Sequence, residues 1–264
     1  MKKLTSVVLG LFVFTGFAAE QRFEKPEQFE KNPGLKCSPE ANRISGAYRL
    51  LSRDFLAVDP EAACTVRITA RKVPGSPEFY AHAGFLLYDE AMTELKPCFY
   101  RAEHNTESML LEPVFKGSKT VKIRKPKWFP KDLVRRAWFL ALDVKPDKSD
   151  IPNRNVTAVE KYELTDDCTV VLTLRSGVRK DYPAGTEIRF HSSGAAGMYS
   201  LLNGVKLTEK FQNFQAVIKG MSESQHLNKF WKGAVFMKLV ISNSPASEDH
   251  NIAFEFKDLT VTVE

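Results

Sequence analysis

The sequence predicts an all-β fold, a sandwich whose two halves are separated in the chain by a smaller β module. Three observations predict it. Beyond Arg43 nearly every apolar run is short and alternates apolar with polar residues, the period of a strand with one buried face. Long stretches of helical periodicity are missing, and glycine, proline, asparagine or aspartate follows each run, as turns require. With 264 residues, 43% of them hydrophobic, the chain has material for one large β domain or two small ones.

Residues 1–18 read as a secretory signal peptide. Lys2 and Lys3 form its positive start, Val7 to Phe14 its apolar centre, and Gly16-Phe17-Ala18 the small-residue cleavage site. The uncharged run is short for a membrane span. The mature protein is therefore expected to be exported, to the periplasm or the cell exterior, with no transmembrane segment. Residues 19–42 are charged and carry Pro26, Pro33 and Pro39, so they read as a linker or arm, and nothing before about residue 40 is expected in the core.

The sandwich's first half is expected over 43–110. Its clearest strand is Phe79 to Tyr88, where Phe79, Ala81, Ala83, Phe85 and Leu87 face the core while Tyr80, His82, Gly84, Leu86 and Tyr88 face the other way. Residues 111–193 differ in character. They run from Lys116-Gly117-Ser118-Lys119-Thr120-Val121-Lys122-Ile123 through Trp128-Phe129-Pro130, a strand near Ala137 to Val144, another from Cys168 to Leu174, and Asp181-Tyr182-Pro183-Ala184-Gly185-Thr186. Short strands and turns in this order predict a small inserted β-roll or barrel, with Asp166-Asp167 in a hairpin turn. Residues 194–264 return to the sandwich. Val235, Met237, Leu239 and Ile241 alternate, then Ile252, Phe254 and Phe256. The apolar phase then slips by one to Leu259, Val261 and Val263, which predicts a bulge near Lys257-Asp258, because an uncorrected slip would turn the strand inside out.

The formal charge is +6, and two of those lysines leave with the signal. A mildly basic exported chain is not expected to bind nucleic acid. Four cysteines in an exported protein permit disulfides in three connectivities. Cys64 and Cys168 fall in phase with buried positions and read as small core hydrophobes. Cys37 and Cys98, beside prolines in loop-like sequence, are the pair expected to bond.

Several motifs resemble the jelly-roll carbohydrate-binding modules of families four and nine, with their galactose-binding-like sandwich. They are Gly84-Phe85-Leu86-Leu87-Tyr88-Asp89-Glu90, Phe230-Trp231-Lys232-Gly233-Ala234-Val235-Phe236-Met237, and Ile252-Ala253-Phe254-Glu255-Phe256-Lys257-Asp258-Leu259-Thr260-Val261. The insert is similar to a small β module met in secreted polysaccharide-acting proteins. The resemblance implies a secreted, non-catalytic protein that binds a polysaccharide or other glycan. Asp89 and Asp258 are the carboxylates it offers for a structural calcium, an ion such modules often carry. Two other readings stay open: a glycan hydrolase or lyase on a jelly-roll scaffold, and a structural or adhesion protein of the cell envelope.

Tyr80, His82 and Tyr88 share one strand face, and a sugar ring's flat C–H face can stack on aromatic rings, so they are candidate ligand-binding residues. They could equally pack against the arm or a neighbouring strand. Trp128, in a loop-like setting, is the fourth candidate, whereas Trp231 is expected to be buried. From Lys116 to Arg136 nine basic residues face only Asp132, a field that suits anionic polymers or is simply a solvated strand face. No nucleophile elbow or metal-ligand spacing is present. With 32 Asp and Glu residues, no glycosidase pair can be singled out.

Overall fold

A computed structural model of the chain describes residues 19–46, 49–129, 137–246 and 251–264. The expected signal peptide lies outside the described residues, as do Pro130, Lys131, Asp132, Arg135 and Arg136. The fold is all-β, and the chain divides into two compact units. One comprises the described residues up to Glu94 with Gly197–Met221 and His226–Glu264; the other comprises Leu95–Ala196 with Ser222–Gln225.

The first unit is a jelly-roll sandwich. Its eight principal strands, in chain order, are Asn42–Ser45, Arg49–Leu51, Cys64–Lys72, Phe79–Tyr88, Met198–Val205, Gln212–Ile218, Phe236–Pro245 and Ala253–Val263. The first, eighth, third and sixth form one antiparallel sheet and the second, seventh, fourth and fifth the other. Interleaving of this kind is produced by two Greek keys folded together. The second unit enters the chain between the fourth and fifth strands, which are paired neighbours, with Phe85 opposite Met198.

Alternation decides which side chains meet between the sheets. Phe79, Ala81, Ala83, Phe85 and Leu87 are all buried, as are Val66, Ile68, Met237, Leu239, Ile241, Phe254 and Phe256. The Phe79 and Phe254 rings, one from each sheet, lie 5.8 Å apart. Val235, expected to join this face, is exposed because the strand begins one residue later, at Phe236. The phase slip in the last strand is a bulge: its register against Cys64–Lys72 shifts between Lys257 and Thr260, with Asp258 at a φ of 50°. Leu259 and Val261 thereby return to the core. Trp231 is buried and donates its indole N–H to the His226 carbonyl at 2.8 Å.

The segment expected to stay off the core does not. Phe23 and Phe29 are fully buried, and the Phe29 ring meets Phe256 edge-on at 6.2 Å. Beyond its bulge the last strand loses Asn42–Ser45 as a neighbour, and Ala19–Arg22 pairs with that open half-edge from Val263 to Thr260. A strand edge needs a hydrogen-bonding partner or a cover; this arm is the partner. Its charges and prolines point outward, which is why the sequence resembles a linker.

The second unit is a closed barrel. The sheet order is Ser108–Met109, Glu187–Ser192, Trp138–Leu142, Val156–Leu164, Thr169–Leu174 and Thr120–Arg124. The two ends of that order meet, since Leu110 bridges Ile123 and the Leu111 N–H donates to the Lys122 carbonyl. Val121, Ile123, Trp138, Leu140, Leu172, Leu174, Ile188 and Phe190 fill the interior, as alternate residues in a small barrel must. Asp166 and Asp167 lie in the turn joining Val156–Leu164 to Thr169–Leu174.

At one side of the barrel lies a buried polar network. The Arg189 guanidinium donates to Asp150 Oδ2 at 2.9 Å and, through Nε, to His191 Nε2 at 3.1 Å. His191 must then carry its proton on Nδ1, which donates to the Cys98 carbonyl at 2.7 Å. Asp150 also accepts from the Asn153 amide and the Lys145 N–H. Burial, the largest influence, lowers the His191 pKa to about 4.

All four cysteines are free thiols, so the expected Cys37–Cys98 bond is absent. Cys98 lies in the Pro97–Phe99 turn of the barrel unit, whereas Cys37 ends a strand of the sandwich. Burial raises the Cys64 thiol to about 12 and Cys98 to about 11. Cys168 is exposed rather than buried. It is in phase with Val170 and Leu172, but the strand begins only at Thr169, and the Cys168 N–H donates to Asp166 Oδ1 in the turn.

Candidate functional site

The outward face of the sheet that contains Phe79–Tyr88 carries three of the four residues singled out by sequence, in different surroundings. Gly84 lies between them. A Cβ there would lie 2.0 Å from the Met198 carbonyl, so only glycine lets the backbone at Met198 and Tyr199 cross this close. Beyond it, Leu86, Tyr199 and Val240 form a buried cluster against which Leu51 and Tyr88 pack, and the Tyr199 ring also meets His82 at 5.0 Å. Tyr88 is half-buried, its ring edge-on to Phe55 at 5.0 Å. Tyr80 and Tyr88 stand eight residues apart on one strand, about 26 Å, too far to stack on one sugar ring.

Tyr80 and His82 are brought together with residues that sequence did not single out. Tyr80 is 39% exposed, with Lys206 Nζ 5.7 Å from its ring centroid and Ser244 opposite it across the strand pair. Asn203 stands opposite His82 on the other side. His82 is held at both nitrogens. The Gly204 N–H donates to Nδ1 at 3.2 Å, leaving the proton on Nε2, which lies 3.2 Å from Ser244 Oγ. Burial lowers the His82 pKa, so the ring is a neutral donor to Ser244 near neutral pH. Ser244 accepts that bond and keeps its own hydroxyl proton for a ligand. The alternation of Leu239 and Ile241 already implied that Ser242 and Ser244 face outward. The register that puts Ser244 beside Tyr80 was invisible, because it joins strands far apart in the chain.

Trp128 belongs to the barrel unit and is 44% exposed. Its ring packs on buried Trp138 at 5.6 Å. In the basic segment, Lys122 and Arg124 point out while Val121 and Ile123 point in, and Lys122 lies 3.5 Å from Glu112. A groove of about 740 Å³ beside them carries Lys122, Glu112 and Asp166 on its walls, a mixture that selects neither sign of charge.

Asp89 is buried and its Oδ1 accepts the Thr93 N–H, closing a turn. Asp258 is exposed in the bulge. Among the described residues no three His, Cys, Asp or Glu side chains stand together as a metal cluster, and no helix is long and apolar enough to cross a membrane.

Comparison with known proteins returned no matching family model, no matching curated protein and no matching solved structure.

Proposed function

We propose that this is an exported, non-catalytic glycan-binding protein whose jelly roll presents the Tyr80 patch to a polysaccharide. The observation that supports the reading best is the composition of that patch. One exposed aromatic ring has the Lys206 ammonium 5.7 Å from its centroid and the Ser244 hydroxyl across the strand pair, with the neutral His82 imidazole two residues along and the Asn203 amide opposite that. A sugar offers an apolar C–H face edged with hydroxyls that donate and accept, and this patch matches both parts: the ring covers the face and the polar groups meet the rim. His82 takes no part as an acid or base. Its two nitrogens are occupied, and its contribution is to orient the Ser244 hydroxyl.

The resemblance to carbohydrate-binding modules points the same way, and the jelly-roll order is compatible with it, although one fold serves many functions. Retention of the mature chain on a panel of neutral polysaccharides tests the reading. Tyr80→Ala should abolish retention and change stability by less than about 1 kcal/mol, as at other exposed positions. Unaltered retention in that variant, or none by the wild type on any glycan, would overturn it.

A further inference from the structure

The opposite sheet of the sandwich carries a row of charge that the Tyr80 patch does not use. On its outward face Lys36 stands directly across from Arg43, Arg43 from Glu255, and Glu255 from Arg71. Neighbouring strands are about 4.8 Å apart, so the row from Lys36 to Arg71 crosses four strands in about 14 Å. At its far end the Phe211 ring lies 4.3 Å from the Arg71 guanidinium carbon and 4.8 Å from Lys257 Nζ. These residues line one groove of about 340 Å³.

Glu255 neutralises Arg71 at 2.6 Å. Lys36, Arg43 and Lys257 have no carboxylate within 4 Å among the described residues. Glu40, on the groove wall, is the only other carboxylate lining it, so the groove keeps a net positive charge. Like charges directly opposite each other in a sheet destabilise it, and the Lys36–Arg43 pair is such a pair. An anion laid across the row would relieve the repulsion, and the Arg43 fork can take a carboxylate or sulfate through two parallel hydrogen bonds.

We propose that this groove binds an extended anionic polysaccharide, its carboxylate or sulfate groups seated on Lys36, Arg43 and Lys257. The length of the row favours a polymer over a single small anion. Phe211 argues against single-stranded nucleic acid, which needs uncovered rings for its bases, because Arg71 and Lys257 already occupy this one. The proposal rests on the glycan-binding reading and adds an anionic class, at a second surface, to what the protein takes.

Affinity electrophoresis of the mature chain in gels containing polygalacturonate, dextran sulfate or neutral dextran tests it, with a single-stranded oligonucleotide as competitor. The wild type should be retarded by at least one of the two polyanions, and the carboxylated and sulfated gels separate the two sources of charge. R43E/K257E should weaken that retardation at least tenfold and make it less sensitive to salt. R43Q/K257Q, which leaves no like charge beside Glu255, should do so several-fold while melting like the wild type. Unchanged retardation in both double variants would overturn the proposal, as would competition by the oligonucleotide stronger than that by either polyanion. Tyr80→Ala should leave polyanion retardation intact. If that variant also keeps every neutral-glycan interaction while R43E/K257E loses the polyanion, the Tyr80 reading fails and this one stands.

Discussion

The sandwich and the barrel bury their apolar faces by the same alternation but close their sheets differently. The barrel joins its two ends through Leu110 and Ile123, so no edge remains there. The sandwich has edges, and half of one is covered by a segment brought from the start of the chain, Ala19–Arg22. Their interiors differ as well. Between the sheets the core is built from aliphatic and aromatic side chains, whereas the barrel unit encloses the Asp150–Arg189–His191 network. The sandwich therefore depends on apolar volume and on its arm, and the barrel also on a proton balance.

The largest effect should come from the arm. Phe23→Ala with Phe29→Ala removes two fully buried rings that touch each other, and single Phe→Ala changes in cores cost about 3–5 kcal/mol. The pair should cost the sandwich at least about 4 kcal/mol by denaturant unfolding, while amide exchange across Trp138–Leu142 reports an unchanged barrel. A loss under about 1 kcal/mol would return the segment to the status of a linker.

A smaller effect separates the units by pH. His191 has a folded pKa of about 4 against an ordinary 6.5, so the unfolded chain takes up its proton first as pH falls. Stability from this group is complete above about pH 6.5, declines between there and about pH 4, and is flat below. The full loss is on the order of 3 kcal/mol. His191→Asn should flatten that slope in the barrel transition, whereas the sandwich transition should keep in both proteins the slope of the same sign that burial of His82 gives it. Smaller still, Asp258→Gly should stabilise the sandwich by up to about 1 kcal/mol, because glycine adopts the positive φ of the bulge without strain. Destabilisation there would mean that the Asp258 side chain supports the bulge.

What was legible in the sequence and what was not divides along chain distance. The two faces of Phe79–Tyr88, the slip at Lys257-Asp258 and the turn at Asp166-Asp167 are local, and a period of two records them directly. The burial of Phe23 and Phe29 is set by a partner at the far end of the chain, and nothing in the spacing of the arm announces it. The Asp150–Arg189 pair and the Lys36–Arg43–Glu255–Arg71 row likewise exist only once strand registers are fixed. For the candidate site, parity correctly put Tyr80, His82 and Tyr88 on one face. It had no means of revealing that Gly84 admits the Met198–Tyr199 backbone and lets Tyr199 cover the middle of that face, or that Asn203, Lys206 and Ser244 stand with the open part.

Chemical-shift mapping would show where on the sandwich a neutral glycan sits. ¹⁵N-labelled protein comprising residues 19–264 would be titrated with oligosaccharides cut from the neutral polysaccharides of the retention panel. Saturable shifts should be confined to the amides around Tyr80, His82, Asn203, Lys206 and Ser244, with Tyr88 and Trp128 unmoved. Shifts centred on Trp128, or no saturable shift with any of these oligosaccharides, would contradict the Tyr80 reading.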